Sequence, residues 1–202
     1  MYIVNVIPLI KIPYPNPQIL SYFCEEKIRI GGVVKIPIRK KKIKAIVVGC
    51  KKLEQEKIRL KKFADFQIKP IDKIISKEPI LTEKQLKLLF WIADYYFAPL
   101  GLVAKIFLSA NERIKKSKIR NSKSMPTGRQ VEIRNLILTP QTKFLVFAPF
   151  KNLKSITIEN EESSLYKSWG RKPYYNAKDI AIEFAKIYKA KLILKSDLPS
   201  IE

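Results

Sequence analysis

The sequence contains no histidine. That removes the commonest general base near neutral pH and the commonest transition-metal ligand, and with them Ser-His-Asp, Cys-His and HExxH chemistry. Cysteine is nearly as scarce: Cys24 and Cys50, without a CxxC spacing, read as two reduced, partly buried thiols rather than as a disulfide framework. No stretch approaches the ~18 consecutive apolar residues of a membrane helix. The opening MYIVNVIPLIKIPYP has neither a basic segment before its apolar run nor a small-residue cleavage site. The expectation is a soluble, cytoplasmic protein with no membrane partner, no cofactor and no metal site. Any catalysis would have to rest on carboxylates, lysines or a bound nucleotide.

Acidic residues are also in short supply. Lys and Arg number 40 against 18 for Asp and Glu, giving a formal net charge of +22 over 202 residues. Such an excess repels itself unless a polyanion lies nearby; a nucleic acid is the first partner to expect and an anionic membrane surface the second. A hydrophobic fraction of 47% is ample for packed cores, so the chain is not disordered.

Residues 2–9, YIVNVIPL, read as a strand, followed by a stiff loop with three prolines in KIPYPNPQ. Gly31-Gly32 marks a turn. VVKIPI (33–38) and IKAIVVGC (43–50) then form a predicted hairpin whose four-residue tip is Arg39-Lys40-Lys41-Lys42. Residues 51–65 are charged with a thin apolar face, and 66–75 return to β character. Several short strands without a βαβ rhythm predict a small OB-like or SH3-like barrel up to about residue 80. LTEKQL (81–86) carries a helix start: Thr82 caps, Gln85 caps back, and Leu81 with Leu86 staples the entry. The helix continues through KLLFWIADYY and stops near Pro99 or Gly101, with a second short helix, LVAKIFLSA, after it. Residues 111–138 hold eight basic against two acidic residues with Pro126 and Gly128 in the middle, and 109–138 reads as a basic linker. Beyond it, TKFLVFAPF and LKSITI are strand-like, AKDIAIEFAKIYKA (177–190) is helical and KLILKS (191–196) is strand-like. That order describes an α/β fragment too small for a complete doubly wound domain.

WIADYYFAPLG (91–101) after EPILTEKQLKLLF, together with YPNPQILSYF and GGVVKIP, resembles the N-terminal DNA-binding domain of the primosomal protein N′ family, bacterial replication-restart helicases. The resemblance covers residues 1–108. It implies a small OB-like β-barrel with C-terminal helices that captures the 3′ end of a nascent strand at a stalled fork. FAPFKNLKSITIENEESSLYKS, PYYNAKDIAIEFAK and LKSDLPSIE resemble that family's first helicase lobe, so that 139–202 is expected to be a partial α/β helicase-lobe fragment. The Walker A pattern GxxxxGK[ST] is missing from residues 109–141, and the second helicase lobe and the zinc-binding cysteines of the family are absent.

Carried over by position on Tyr22, the family's 3′-end pocket falls on Leu20 in place of an aromatic, Ser21 in place of the aspartate that meets the terminal hydroxyl, Arg39 in place of a glycine, and Lys69, which is retained. The resemblance thus implies Leu20, Ser21, Tyr22, Arg39 and Lys69 as DNA-binding residues. From Lys35 to Lys62 twelve basic residues face two acidic ones. Lys35, Arg39, Lys40, Lys41, Lys42 and Lys44 are therefore the expected phosphate contacts, and their Lys-rich character suits backbone neutralisation better than base reading. Phe90, Trp91, Tyr95, Tyr96 and Phe97 could stack bases but are expected to pack the helix against the barrel. Aligned on Tyr166-Lys167, the family's Asp-Glu-Glu-His becomes Glu159-Asn160-Glu161-Glu162: the magnesium ligand is lengthened and the catalytic glutamate has become an amide that cannot act as a base. The expected function is DNA binding without ATP hydrolysis, on single-stranded or forked DNA and possibly 3′ ends, in the nucleoid. The alternatives are a protein-interaction module of the replication-restart primosome and a helicase fragment completed by another chain.

Overall fold

The computed structural model describes residues 1–53, 68–119, 131–170 and 172–197, with the side chains of 115–119 left aside. β1 (Tyr2–Pro8), β2 (Leu20–Cys24), β3 (Val33–Ile38), β4 (Lys41–Lys52) and β5 (Lys73–Ser76) form one antiparallel sheet in the order β2-β1-β4-β3-β5. Its two outer strands are tied together. Phe23 N donates to Lys69 O and Ile71 N to Phe23 O, both at 3.1 Å, so the segment leading into β5 pairs with β2 and the sheet curls shut. Alternation sorts the side chains. Val4, Val6, Val34, Ile36, Ala45 and Val47 fill the interior with Tyr22 and Ile28, while Ile7, Val33 and Ile46 on the other face join the helices. The resulting fold is a mixed β and α structure consistent with the expected OB-like domain. The hairpin differs from expectation in one respect: Lys41 and Lys42 pair with Ile38 and Pro37, so the tip is two residues, Arg39-Lys40. The charged segment expected over 51–65 starts inside β4, and its part from 54 onward lies outside the described residues, as do 66 and 67.

α1 (Glu83–Tyr95) begins as its sequence dictates. Thr82 Oγ1 accepts from Gln85 N at 3.2 Å and Gln85 Oε1 accepts from Thr82 N at 3.0 Å, while Leu81 and Leu86 are buried across the first turn; such a cap contributes about 1 kcal/mol. It ends in a Schellman motif: Ala98 N donates to Ala93 O and Phe97 N to Asp94 O. The left-handed position, φ 48°, is occupied by Phe97 rather than by glycine, and this throws its ring into solvent. α2 (Leu100–Ile119) is far longer than the short helix expected. It runs through residues 109–119, the first third of the predicted linker, with Ala110 and Asn111 buried. Residues 131–138, the linker's far end, hold β6 (Val131–Glu132) and β7 (Asn135–Leu138). Between these pieces, 120–130 lies outside the described residues.

The C-terminal third is α/β. β7, β9 (Ser155–Glu159) and β10 (Lys191–Lys195) make a parallel sheet in the order β10-β9-β7, with α3 (Ala177–Tyr188) crossing between β9 and β10. A two-stranded parallel pair of β6 with β8 (Phe150–Lys151) lies beside it. TKFLVFAPF, expected as a strand, is a 3-10 turn over Lys143–Phe147 followed by β8. Two polar anchors fasten this part to the helices. Gln85, 1% exposed, donates to Phe147 O at 2.7 Å and to Asn111 Oδ1 at 3.2 Å. The Tyr96 hydroxyl donates to Asp179 Oδ2 at 2.9 Å and accepts from Asn176 N at 3.1 Å, where burial raises its pKa far above the ordinary tyrosine value and keeps it a donor.

Candidate nucleic-acid interface

Of the expected pocket residues, Leu20, Ser21 and Tyr22 lie on β2 and Lys69 pairs with it, while Arg39 is at the tip of the β3–β4 hairpin. Ser21 stands opposite Asn5 and its hydroxyl donates to Asn5 Oδ1 at 2.9 Å, leaving its own lone pairs as acceptors on an exposed surface. Its neighbour Tyr22 points the other way, into the barrel, where its hydroxyl donates to Pro37 O at 3.0 Å. Tyr22 is thus a tie between β2 and the hairpin that carries Arg39, not a surface contact. Leu20 and Ile38 pack half-buried at the same end of the interior. Lys69, exposed, is held on β2 by the bond from Phe23 N.

Arg39 occupies the left-handed region at φ 51°, where a β-carbon crowds the following carbonyl. The glycine of the related family suits that conformation, and arginine strains it. Arg39→Gly should therefore raise the urea midpoint without changing the slope, a gain of up to about 1 kcal/mol, offset by the freer unfolded chain. The same substitution opens space beside the tip, so its effect on DNA affinity separates steric from charge contributions.

The phosphate-contact candidates form a larger surface than the chain order suggests. Cross-strand register places Lys35 directly opposite Lys44 on β4 and directly opposite Lys73 on β5. Three ammonium groups thus line one row across three strands, an arrangement that costs stability in the free protein. Lys42 is the exception among the tip lysines, since Asp72 Oδ1 sits 2.6 Å from its Nζ. Lys40, Lys41 and Lys44 are exposed. Lys73 and Asp72 were not among the expected site residues: nothing in IDKII marks them, because register across strands is not written in local sequence.

The aromatic cluster divides. Trp91 and Tyr96 pack on the core as expected, but Phe90, Tyr95 (55% exposed) and Phe97 (87% exposed) are exposed, contrary to the expected packing role. Trp91 and Tyr95 stack at 4.7 Å with 16° between planes.

At the acidic turn the carboxylates separate. Glu159 lies 3.9 Å from Lys195, Glu161 is buried with Lys178 at 3.4 Å, and Glu162 accepts from the Ser196 hydroxyl. Asn160 adopts φ 51°, a conformation asparagine tolerates. The Tyr166 phenol lies 2.6 Å from Glu159 O and 2.9 Å from Leu138 O, and burial beside Glu159 and Glu162 pushes its pKa up to about 12. Among the described residues no group of three or more His, Cys, Asp or Glu is placed to hold a metal ion.

Residues 9–109 match the family model described as the PriA 3′ DNA-binding domain (3′BD). The chain belongs to this family. Relatives include the replication restart protein PriA of Chlamydia trachomatis, 37% identical over 68 residues, which make up 34% of this chain and 9% of the relative. The PriA of Chlamydia muridarum is 34% identical over 90 residues, 42% of this chain and 11% of the relative. That of Bacillus subtilis is 34% identical over 74 residues, 37% of this chain and 9% of the relative. The alignments span about a tenth of each PriA. The matched 3′BD region holds β2 to β5, α1 and half of α2; it begins just after β1 and ends ten residues before α2 does.

Proposed function

We propose that the protein binds single-stranded or forked DNA in replication restart, without catalysis, chiefly through phosphate contacts on the lysine face of its 3′BD barrel. The row Lys73-Lys35-Lys44 beside the Arg39-Lys40 tip carries this reading, because directly opposed ammonium groups are relieved when a polyanion lies along them. Ser21 and Lys69 supply the terminal-nucleotide end of the surface. The partner is DNA, in the nucleoid; no described helix is long and apolar enough to cross a membrane.

The absence of catalysis rests on the sequence, which has no Walker A loop, and on Glu159, Glu161 and Glu162 each engaging a different partner. The parallel β9-β10 pair with α3 is what a fragment of a first helicase lobe would retain, and residues 139–202 are proposed to be one, with β7 from the segment before it adding a third strand. Exposed Phe97 and Tyr95 favour a second reading, a docking site for a protein of the replication-restart machinery.

Fork DNA titrated by fluorescence anisotropy at 50 and 200 mM salt tests the first reading. Five phosphate contacts predict an affinity loss on the order of several hundredfold over that range. An affinity indifferent to salt would sink it. A fork ending in a leading-strand 3′-hydroxyl should bind only a few-fold more tightly than one ending in 3′-phosphate, since the neutral Ser21 lacks the charge-assisted bond of an aspartate.

A further inference from the structure

A cavity of about 360 Å³ opens between α2, the 3-10 turn and the loop that leads into α3, and none of the lysines of the barrel face lines it. Its size is that of a small-ligand site. The back is rigid and aromatic: Phe147 meets Phe107 edge-on at 5.2 Å and Tyr175 edge-on at 5.3 Å. Phe144 forms another wall, with the Arg113 guanidinium 5.7 Å above its ring. α2 presents Lys105, Ser109 and Arg113 to the space at successive i, i+4 positions, and Lys172 joins them from the loop. None of the lining residues is acidic. The loop is fixed by Ser168 N, which donates to Tyr175 O at 2.7 Å, and by the bridge of Lys167 with Asn176. Burial raises the Tyr175 pKa, so its phenol remains a hydrogen-bond donor at neutral pH.

A partly aromatic cavity with hydroxyls and three cations on its walls fits a planar group carrying a strongly anionic substituent. We propose that this cavity binds a nucleoside monophosphate, its base against the part-exposed Tyr175 and Phe144, with Phe147 buried behind them, and its phosphate over Ser109 between Lys105, Arg113 and Lys172. The phosphomonoester is favoured over a diester because it is close to a dianion at neutral pH and matches a wall of three cations with no carboxylate. Two sources share this chemistry, a free nucleotide and the 5′-phosphate end of a DNA strand. The site is independent of the barrel interface, so the two readings fail separately.

Calorimetric titration of the full chain with dTMP and with thymidine tests it. dTMP is expected to bind at least tenfold more tightly than thymidine, and Lys105→Gln with Arg113→Gln to weaken dTMP at least tenfold at an unchanged melting temperature. Should that pair melt early, Lys172→Gln on the exposed loop is expected to lower dTMP affinity at least threefold by itself. The hairpin variant Lys40→Glu/Lys41→Glu should leave dTMP binding intact. A 5′-phosphorylated dT oligomer that binds more tightly than its 5′-hydroxyl counterpart and than dTMP assigns the strand end; a free nucleotide is assigned if dTMP binds and the two oligomers do not differ. Equal binding of dTMP and thymidine, undiminished dTMP binding in the cavity variants, or its loss in the hairpin variant overturns the proposal.

Discussion

Replacing Lys40, Lys41 and Lys42 together by Glu lowers affinity for fork DNA by at least about a hundredfold at 0.1 M salt, and flattens the dependence of log affinity on log salt by about two. The expected slope change is two rather than three because Lys42 already faces Asp72 at 2.6 Å and has less charge to offer a phosphate. The reversal adds repulsion to the lost contacts. All three residues are exposed and lie at the tip or at the first residues of β4. Lys42→Glu, however, sets a carboxylate against Asp72, so the triple variant should melt a few degrees lower, by about 1 kcal/mol, whereas Lys40→Glu/Lys41→Glu keeps that pair and the melting temperature. Electrophoretic mobility shift with fork DNA reads the loss. Pull-down of replication-restart proteins supplies the control, because a protein-docking role centred on Tyr95 and Phe97 leaves such complexes intact. An unchanged DNA affinity would place the interface elsewhere on the molecule.

Gly101→Ala is expected to be among the most damaging single changes to the fold. Glycine inside a helix ordinarily costs about 1 kcal/mol relative to alanine, so this substitution would stabilise an isolated helix. Here a β-carbon at position 101 would lie 2.1 Å from Ile10 O and 2.2 Å from Pro8 O, backbone atoms at the exit of β1. Neither can rotate aside, so α2 must move off the barrel and uncover Val103, Ala104 and Phe107. The loss should exceed about 4 kcal/mol, within the exceptional class of point mutations, and at 2–4 °C per kcal/mol the melting temperature falls by roughly 10 °C or more. Calorimetric scanning decides it: a rise would mean that the helix does not approach β1 so closely.

The elements that announced themselves in the sequence are those whose own side chains do the work. Thr82 and Gln85 close a cap within four residues, and α3 shows its buried stripe of Ile180, Ala181, Phe184 and Tyr188 at helical spacing. α2 was underestimated because its continuation, NERIKKSKI, is anchored by Asn111, a polar residue whose bonds to Gln85 and to Ile80 O are made far along the chain. TKFLVFAPF is apolar throughout, and such a run carries no period to separate strand from turn. The joining of β2 to the segment before β5 depends on residues 47 positions apart, Phe23 and Pro70, and no local pattern reports it. The site was legible to the same degree. Charge clustering pointed at the hairpin, but the third lysine of the row, Lys73, and the counter-charge Asp72 become visible only once register is known.

The row Lys73-Lys35-Lys44 also gives salt two opposite roles. In the free protein, added salt screens three opposed ammonium groups and should make the barrel harder to melt. On DNA, the same salt competes for the phosphates and loosens the complex. The melting temperatures of free and bound protein therefore converge as salt rises, and the concentration at which they meet is where DNA no longer stabilises the fold.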